Sequence, residues 1–186
     1  MAEIRDARQD EFDELGDVRV AAYRADGFLS PQSTYAPTLR ALGADGLDQV
    51  LVAVDSERSA SSDGVGRADQ PEQGRGRIIG TVMLQGWPQG GEILAGPEEA
   101  EIRALAVVPG ARGTGLGRAL LAAAIERAAR DGIRHLVLLT QAEMKAAHHL
   151  YEQAGFTRLP DRDWSPEPGV KLLAYSLVLK RGHAAI

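Results

Sequence analysis

The stretch Glu99 to Arg118, EAEIRALAVVPGARGTGLGR, constrains this chain more than any other. Ile102, Ala104 and Ala106 alternate with Glu101, Arg103 and Leu105 before the apolar pair Val107-Val108, the period-two pattern of a strand. Pro109-Gly110 ends the pairing, because proline has no amide hydrogen for the ladder and glycine accepts turn dihedrals. Arg112-Gly113-Thr114-Gly115-Leu116-Gly117 then leads straight into a helix whose apolar stripe is Leu116, Leu120, Ala124 and Ala128. A glycine-rich turn at a helix start suits a phosphate. The first helical amides have no internal partner, the dipole is positive there, and missing side chains let an anion approach. Arg112 is placed to add a forked donor to the same phosphates. Taken alone, the turn reads equally as an ordinary tight connection.

The spacing narrows the phosphate ligand. Walker A fails, since no Lys-Ser or Lys-Thr follows the last glycine, and the dinucleotide fingerprint fails because its third glycine would fall on Arg118. What remains, Arg112-x-x-Gly115-x-Gly117 after a strand ending Leu105-Ala106-Val107, resembles the coenzyme A-binding signature of the GCN5-related N-acetyltransferases (GNAT). Farther on, Ala147-His148-His149-Leu150-Tyr151-Glu152-Gln153-Ala154-Gly155-Phe156 resembles that family's A-x-x-L-Y-E-x-x-G-F segment. The motifs span Glu99 to Phe156; the remainder of the chain matches by topology only.

The resemblance implies an α/β (α+β) fold: one domain over residues 1–186, with a mixed, mostly antiparallel sheet flanked by helices and a splayed central strand pair. Acetyl-CoA would be the cosubstrate. Its pantetheine would lie between the central strand and His135 to Leu139, pairing with the backbone of Leu105, Ala106 and Val107. Its pyrophosphate would rest on the amides of Arg112, Gly113, Thr114, Gly115, Leu116, Gly117 and Arg118. By the same resemblance, Val107 donates its amide to the oxyanion and Tyr151 is the general acid, one helical turn after Ala147. Glu101, six residues before Val107, is the candidate general base, directly or through water; the alternative is a strand-edge carboxylate paired with Arg103 or solvent. Family members often carry asparagine seven residues before the tyrosine, and this chain has Met144 there. The two N-terminal helices and their connection, Tyr23 to Tyr35 with Phe28, correspond to one wall of the acceptor site.

The chemistry itself sets requirements. The amine must lose a proton, the thioester oxygen must be held as it becomes negative, and the leaving thiolate needs a proton. The chain has no cysteine and no G-x-S-x-G elbow, so transfer with both substrates bound is expected rather than an acyl-enzyme. Absent cysteines also exclude disulfides and thiolate metal sites. The net charge of −5 argues against nucleic acid as the main partner and suits a cationic amine. The N-terminus MAEIRDARQDEF lacks the apolar core of a secretion signal. No apolar run approaches the roughly 20 residues that span a bilayer. A soluble, cytoplasmic protein without membrane partners is the expectation, and the resemblance allows a homodimer. A different acyl group, or acyl-CoA sensing without turnover, are the competing readings.

The rest of the chain reads as follows. Ala2 to Arg5 is a first strand. Asp10 caps a helix carrying Phe12, Leu15, Val18 and Val20 to Ala22, and Ser30-Pro31 starts a second, with Tyr35 and Leu39, ending near Gly43. Gln49 to Val54 and Arg77 to Gln85 are paired strands joined by a long, mobile loop, Asp55 to Gly76, without a catalytic role. Gly86 to Pro97 is another loop. Gly132 closes the central helix, and Thr140-Gln141-Ala142-Glu143 has the form of a capping box opening the helix that ends at Gly155. Phe156 to Leu159 and Lys171 to Leu179 are the last strands, joined by a loop in which Trp164 either lines the acceptor pocket or staples the loop. The pair His148-His149 has the wrong spacing for a metal site, since neighbouring helical residues point about 100° apart, and reads as surface or cofactor-rim histidines.

Overall fold

The structure, a computed structural model, describes residues 2–55, 76–89, 93–166 and 170–179. The expected loop from Asp55 to Gly76 therefore lies, over residues 56–75, outside the described residues. The elements in chain order are β1 (Glu3–Asp6), α1 (Phe12–Ala25), α2 (Ala36–Ala41), β2 (Gln49–Asp55), β3 (Arg77–Gly86), β4 (Glu99–Val107), α3 (Leu116–Arg130), β5 (His135–Gln141), α4 (Lys145–Gln153), β6 (Thr157–Arg158) and β7 (Leu172–Val178). They form one seven-stranded sheet in the order β1-β2-β3-β4-β5-β7-β6, in which only β4 and β5 run parallel. The mixed, mostly antiparallel sheet with flanking helices is the one expected.

The central strands are nearly continuous apolar runs because helices cover both faces. On one face Leu51, Val82, Leu84, Ala100, Ile102, Leu136 and Leu138 pack against Leu116, Leu120, Leu121, Ala124 and Ala128 of α3, with Tyr151 and Phe156 beside them. On the other face Val50, Val52, Ile78 and Met83 meet Leu15 and Val18 of α1. The predicted α3 stripe is thus wholly buried. Gly80 lets α3 sit close to the sheet, since a Cβ there would lie 2.9 Å from Leu120 Cδ1 and 3.1 Å from the Ala106 carbonyl.

Several boundaries differ from expectation. Gln9–Glu11 forms a short 3₁₀ turn before α1, and the reciprocal cap comes from Glu11, whose carboxylate accepts the Arg8 amide at 2.8 Å. α2 begins at Ala36, not at Ser30-Pro31. The Ser30 carbonyl instead accepts the Ser33 amide in a turn, and Pro37 occupies the first helical turn. α4 begins at Lys145, because Thr140 and Gln141 are still paired with Leu173 and Leu172 of β7; strand pairing overrides the capping-box pattern. Gly132 (φ 80°) and Gly155 (φ 92°) do close α3 and α4.

Two stability predictions follow from this packing. Leu120 is fully buried, so Leu120→Ala should cost about 3 kcal/mol in urea denaturation. Glu11 accepts both terminal nitrogens of Arg5, at 2.9 and 2.6 Å. Arg5 holds its carboxyl below the usual range despite the opposing effect of burial. A depressed carboxyl stabilises the fold above its unfolded pKa and loses that effect as pH falls through the folded value. Glu11→Gln should therefore destabilise by about 2 kcal/mol at pH 7, and the gap to wild type should close as pH is lowered below 4.5.

Candidate active site

The site is made by a break in the strand pattern. Opposite β3, Thr81 pairs with Ala106 and Met83 with Arg103, so three steps on β4 answer two on β3. This is a β-bulge, and Ala104 sits in it at φ 50°. The extra residue cancels the strict alternation expected from sequence. Ile102 faces α3, whereas Arg103 (paired with Met83) and Ala104 (packed with Val20, Leu29 and Leu39) both face the α1 side. Leu105 and Val107 then return to the α3 side.

Beyond the bulge the parallel pair parts. The last paired residues are Ile102 and Leu138, although β4 continues to Val107 and β5 to Gln141. The resulting cleft has a volume of about 390 Å³ and is bordered by β4 from Ile102 to Val107, Leu139 and Thr140 of β5, the start of α4, Tyr151, and Tyr23, Asp26 and Phe28 at the end of α1. The Val108 amide donates to the Ile79 carbonyl at 3.0 Å. Strand alternation therefore turns the N–H and C=O of Val107 away from β3, towards the cleft.

At the far end, Gly113 (φ 76°) and Gly115 (φ 86°) adopt left-handed backbone, and Gly115 is the cap residue of α3. A Cβ at either would meet nothing within 4 Å. The turn is thus open, and its glycines answer a backbone need as well as leaving room for an anion. Gly117 lies against Leu150 and Val107, joining the turn to the cleft.

Arg112 is placed differently from the phosphate-fork expectation. Its Nε donates to the Val107 carbonyl at 3.1 Å, Nη1 to Asp26 at 2.6 Å and Nη2 to the Ala22 carbonyl at 3.2 Å. The side chain ties the end of α1 to the end of β4, while its backbone remains at the turn. Met144 borders the cleft, and its sulfur accepts the Thr140 hydroxyl at 3.6 Å, a bond within the wall itself.

Tyr151 reaches the cleft from α4 and is 7% exposed. Burial pushes its phenol up to about 12. Glu101 is not at a sheet edge: it is buried in mid-sheet, paired in register with Gln85 and Val137, and its carboxylate lies 3.7 Å from Arg103 Nε. Arg103 Nη1 donates to Gln85 at 2.7 Å, and Gln85 donates to Asp48 at 2.8 Å. Burial raises the Asp48 carboxyl. This polar chain was not expected from sequence.

Other candidates resolve plainly. His148 is buried rather than at the surface or rim; its Nε2 donates to the Gln141 carbonyl at 2.9 Å, and its ring packs on Tyr175. His149 is exposed and bonds Gln153. Trp164 exchanges backbone hydrogen bonds with Leu172, stapling its loop, and lines a separate groove with Ile93, Leu94 and Arg162. No helix among the described residues is long and apolar enough to cross a membrane.

Comparison with known proteins agrees with this geometry. Solved structures superimpose over nearly the whole chain at low identity. An acetyltransferase of the GNAT family from Staphylococcus aureus Mu50 gives a TM-score of 0.68 at 18% identity, covering 97% of this chain and 100% of that one. A GNAT superfamily phosphinothricin acetyltransferase from Sinorhizobium meliloti, in complex with acetyl-CoA, gives 0.62 at 20% identity, covering 100% and 92%. Among curated proteins, the mycothiol acetyltransferase of Kocuria rhizophila is 38% identical over 87 residues, 47% of this chain, and that of Geodermatophilus obscurus 39% over 83 residues, 44% of this chain. This chain covers only 28% and 26% of those two relatives. The model of the acetyltransferase (GNAT) family matches residues 56–156, more than half of the 186 residues, and the chain belongs to that family.

Proposed function

We propose that this chain is an N-acetyltransferase that moves the acetyl group of acetyl-CoA directly to a primary amine of a small molecule or peptide, with both substrates bound at once. The observation that carries this reading is the parting of β4 from β5 after Ile102 and Leu138, with the open glycine turn at one end and Tyr151 at its side. The gap offers strand-edge backbone to an extended chain such as pantetheine. The turn offers helix-start amides to a pyrophosphate. The acetyl-CoA complex of the phosphinothricin acetyltransferase supports the same assignment.

When bound, acetyl-CoA supplies an activated thioester. Leu105, Ala106 and Val107 hold its pantetheine arm through backbone. The amides of Arg112, Gly113, Thr114, Gly115, Leu116, Gly117 and Arg118 hold its pyrophosphate. The Val107 N–H, turned into the cleft, is the donor for the thioester oxygen as charge develops there. Tyr151 gives its phenolic proton to the departing sulfur. Glu101 takes the proton of the attacking amine through water, since its carboxylate sits behind Arg103 rather than on the cleft wall. The presence of Tyr151 in the cleft favours turnover over sensing. A cytoplasmic protein acting as a monomer or homodimer is compatible with this chemistry.

The primary test is calorimetric titration with acetyl-CoA, with desulfo-CoA and ATP as controls; selective micromolar binding is expected, and no binding at millimolar concentration would end the reading. Gly115→Ala forces an L-residue to φ 86°, a strain of about 1–2 kcal/mol, and should weaken acetyl-CoA binding about tenfold by moving the turn amides. Tyr151→Phe should lower kcat about a hundredfold with little change in KM for acetyl-CoA. An acid works only while protonated, so a phenol raised to about 12 keeps its proton through the neutral range and causes no alkaline loss of rate below pH 10. Equal rates for Tyr151→Phe and wild type across that range would refute the acid assignment.

A further inference from the structure

The end of α1 and the end of β4 face each other across the mouth of the cleft, and one side chain joins them. α1 is held along its length by Leu15 and Val18 in the core and by the buried Arg19, whose Nη1 donates to the Leu42 carbonyl at 2.6 Å. Its last turn runs out through Gly27 (φ 73°), where the amides of Gly27 and Phe28 donate to the Arg24 and Tyr23 carbonyls, each at 3.0 Å. Tyr23, Asp26 and Phe28 of this segment border the cleft. Arg112 reaches it from the opposite side: Nη2 donates to the Ala22 carbonyl and Nη1 to Asp26, while Nε donates to the Val107 carbonyl. All three nitrogens of the guanidinium are thereby engaged, and all on acceptors of α1 and β4.

The bond to Val107 bears on chemistry. The N–H and C=O of Val107 both turn away from β3 towards the cleft, and Arg112 occupies the C=O at 3.1 Å. What Val107 offers a ligand in the cleft is therefore its N–H, a donor, with a fixed positive charge beside the same residue. That pairing suits an oxygen on which negative charge develops.

We propose that the Arg112 side chain is a positioning residue for acyl transfer, fixing the Val107 N–H and the α1 wall relative to one another, and takes no part in holding the phosphates. The proposal rests on the acetyl-transfer reading of the cleft. It divides one residue between two tasks: the Arg112 amide belongs to the phosphate turn, and the side chain to the reacting end. A planar fork can span three acceptors on two elements, whereas the compact ammonium of lysine cannot. The Arg112–Asp26 pair is 35% and 38% exposed and would do little as an ion pair alone; its use here is directional.

The test compares acetyl-CoA affinity, by calorimetry, with the rate of acetylation of propylamine, lysine or a short peptide with a free N-terminus, whichever reacts fastest. Arg112→Gln should keep the acetyl-CoA Kd within about twofold and lower kcat/KM for the amine at least about tenfold, as small misplacements at a reacting centre do. Arg112→Lys should recover only part of that loss. Asp26→Ala should lose less, and the double variant no more than Arg112→Gln alone, because both act through one tie. Amide hydrogen exchange with CoA bound gives a readout that needs no acceptor: Gly27, Phe28 and Val108 should exchange faster in Arg112→Gln. Three results would each overturn the proposal: acetyl-CoA affinity that falls tenfold while kcat/KM for the amine holds, which makes Arg112 a phosphate fork; full rescue by Arg112→Lys; or losses that multiply in the double variant. Unchanged exchange at those three amides would do the same. A wild-type chain that fails to bind acetyl-CoA would sink the acetyl-transfer reading, and this inference with it.

Discussion

The bulge at Ala104 is the constraint on which the rest of the site depends. A regular β4 would stay paired with β5, and would bury Ile102, Ala104 and Ala106 together on one face. One extra residue undoes both. It releases β4 from β5 after Ile102 and puts Arg103 and Ala104 side by side towards α1. A non-glycine residue at φ 50° is strained, by about 1 kcal/mol or more. It persists because its surroundings overdetermine it: β3 pairs on both sides of the bulge, and Ala104 is packed among Val20, Leu29 and Leu39. The cleft therefore follows from strand register, and needs no moving part to exist.

A gap between two strands is useful only if its walls are held at fixed separation. α3 fixes one side through Gly80 and the buried stripe that starts at Leu116. Arg112 fixes the other. One guanidinium reaches the Val107 carbonyl, the Ala22 carbonyl and Asp26, so the end of α1 is anchored to a residue that borders the cleft. Asp26 and Arg112 are both partly exposed, and an exposed ion pair by itself contributes little. The two backbone carbonyls make the difference, because they couple the end of α1 to the end of β4 by direction as well as by charge.

Much of this was legible in the sequence, and the reasons are physical. The α3 stripe and the glycine-rich turn of Gly113 and Gly115 could be read because a helical period and a glycine-rich helix start each have few structural solutions, whereas the left-handed φ of the two glycines came only with the structure. Tyr151 and the splayed pair came through resemblance. The bulge left no mark, since Ala104 is an alanine in an alternating run, and nothing in the pattern assigns it a positive φ. The start of α4 was misread because Thr140 serves both strand pairing and capping, and long-range pairing with β7 decides between them. Arg19 did carry a signal. It stands four residues after Leu15 and three before Ala22, on the buried stripe of α1, where a charged residue breaks the amphipathic rule. Arg112 could not have been assigned, because its three acceptors are up to 90 residues distant in sequence.

The two halves of the cleft use different chemistry, and the comparisons make sense in that light. Along β4 and the turn into α3 the groups presented are amides, carbonyls and glycine turns, which almost any side chains can supply if the backbone path is kept. Structures at 18–20% identity can therefore superimpose over nearly the whole chain. On the α1 side the groups presented are Tyr23, Asp26, Phe28 and Arg103, and the chemistry lies in the side chains. Backbone likeness does not transmit such a pattern, so a shared fold keeps the backbone route through the gap while leaving the α1 side to be read residue by residue. The Met144 position illustrates the boundary between the two. An asparagine there would offer the cleft a polar group, but Met144 engages Thr140 within the wall. The backbone route through the gap is unchanged by that exchange, which is why a motif position can differ without cost to the fold.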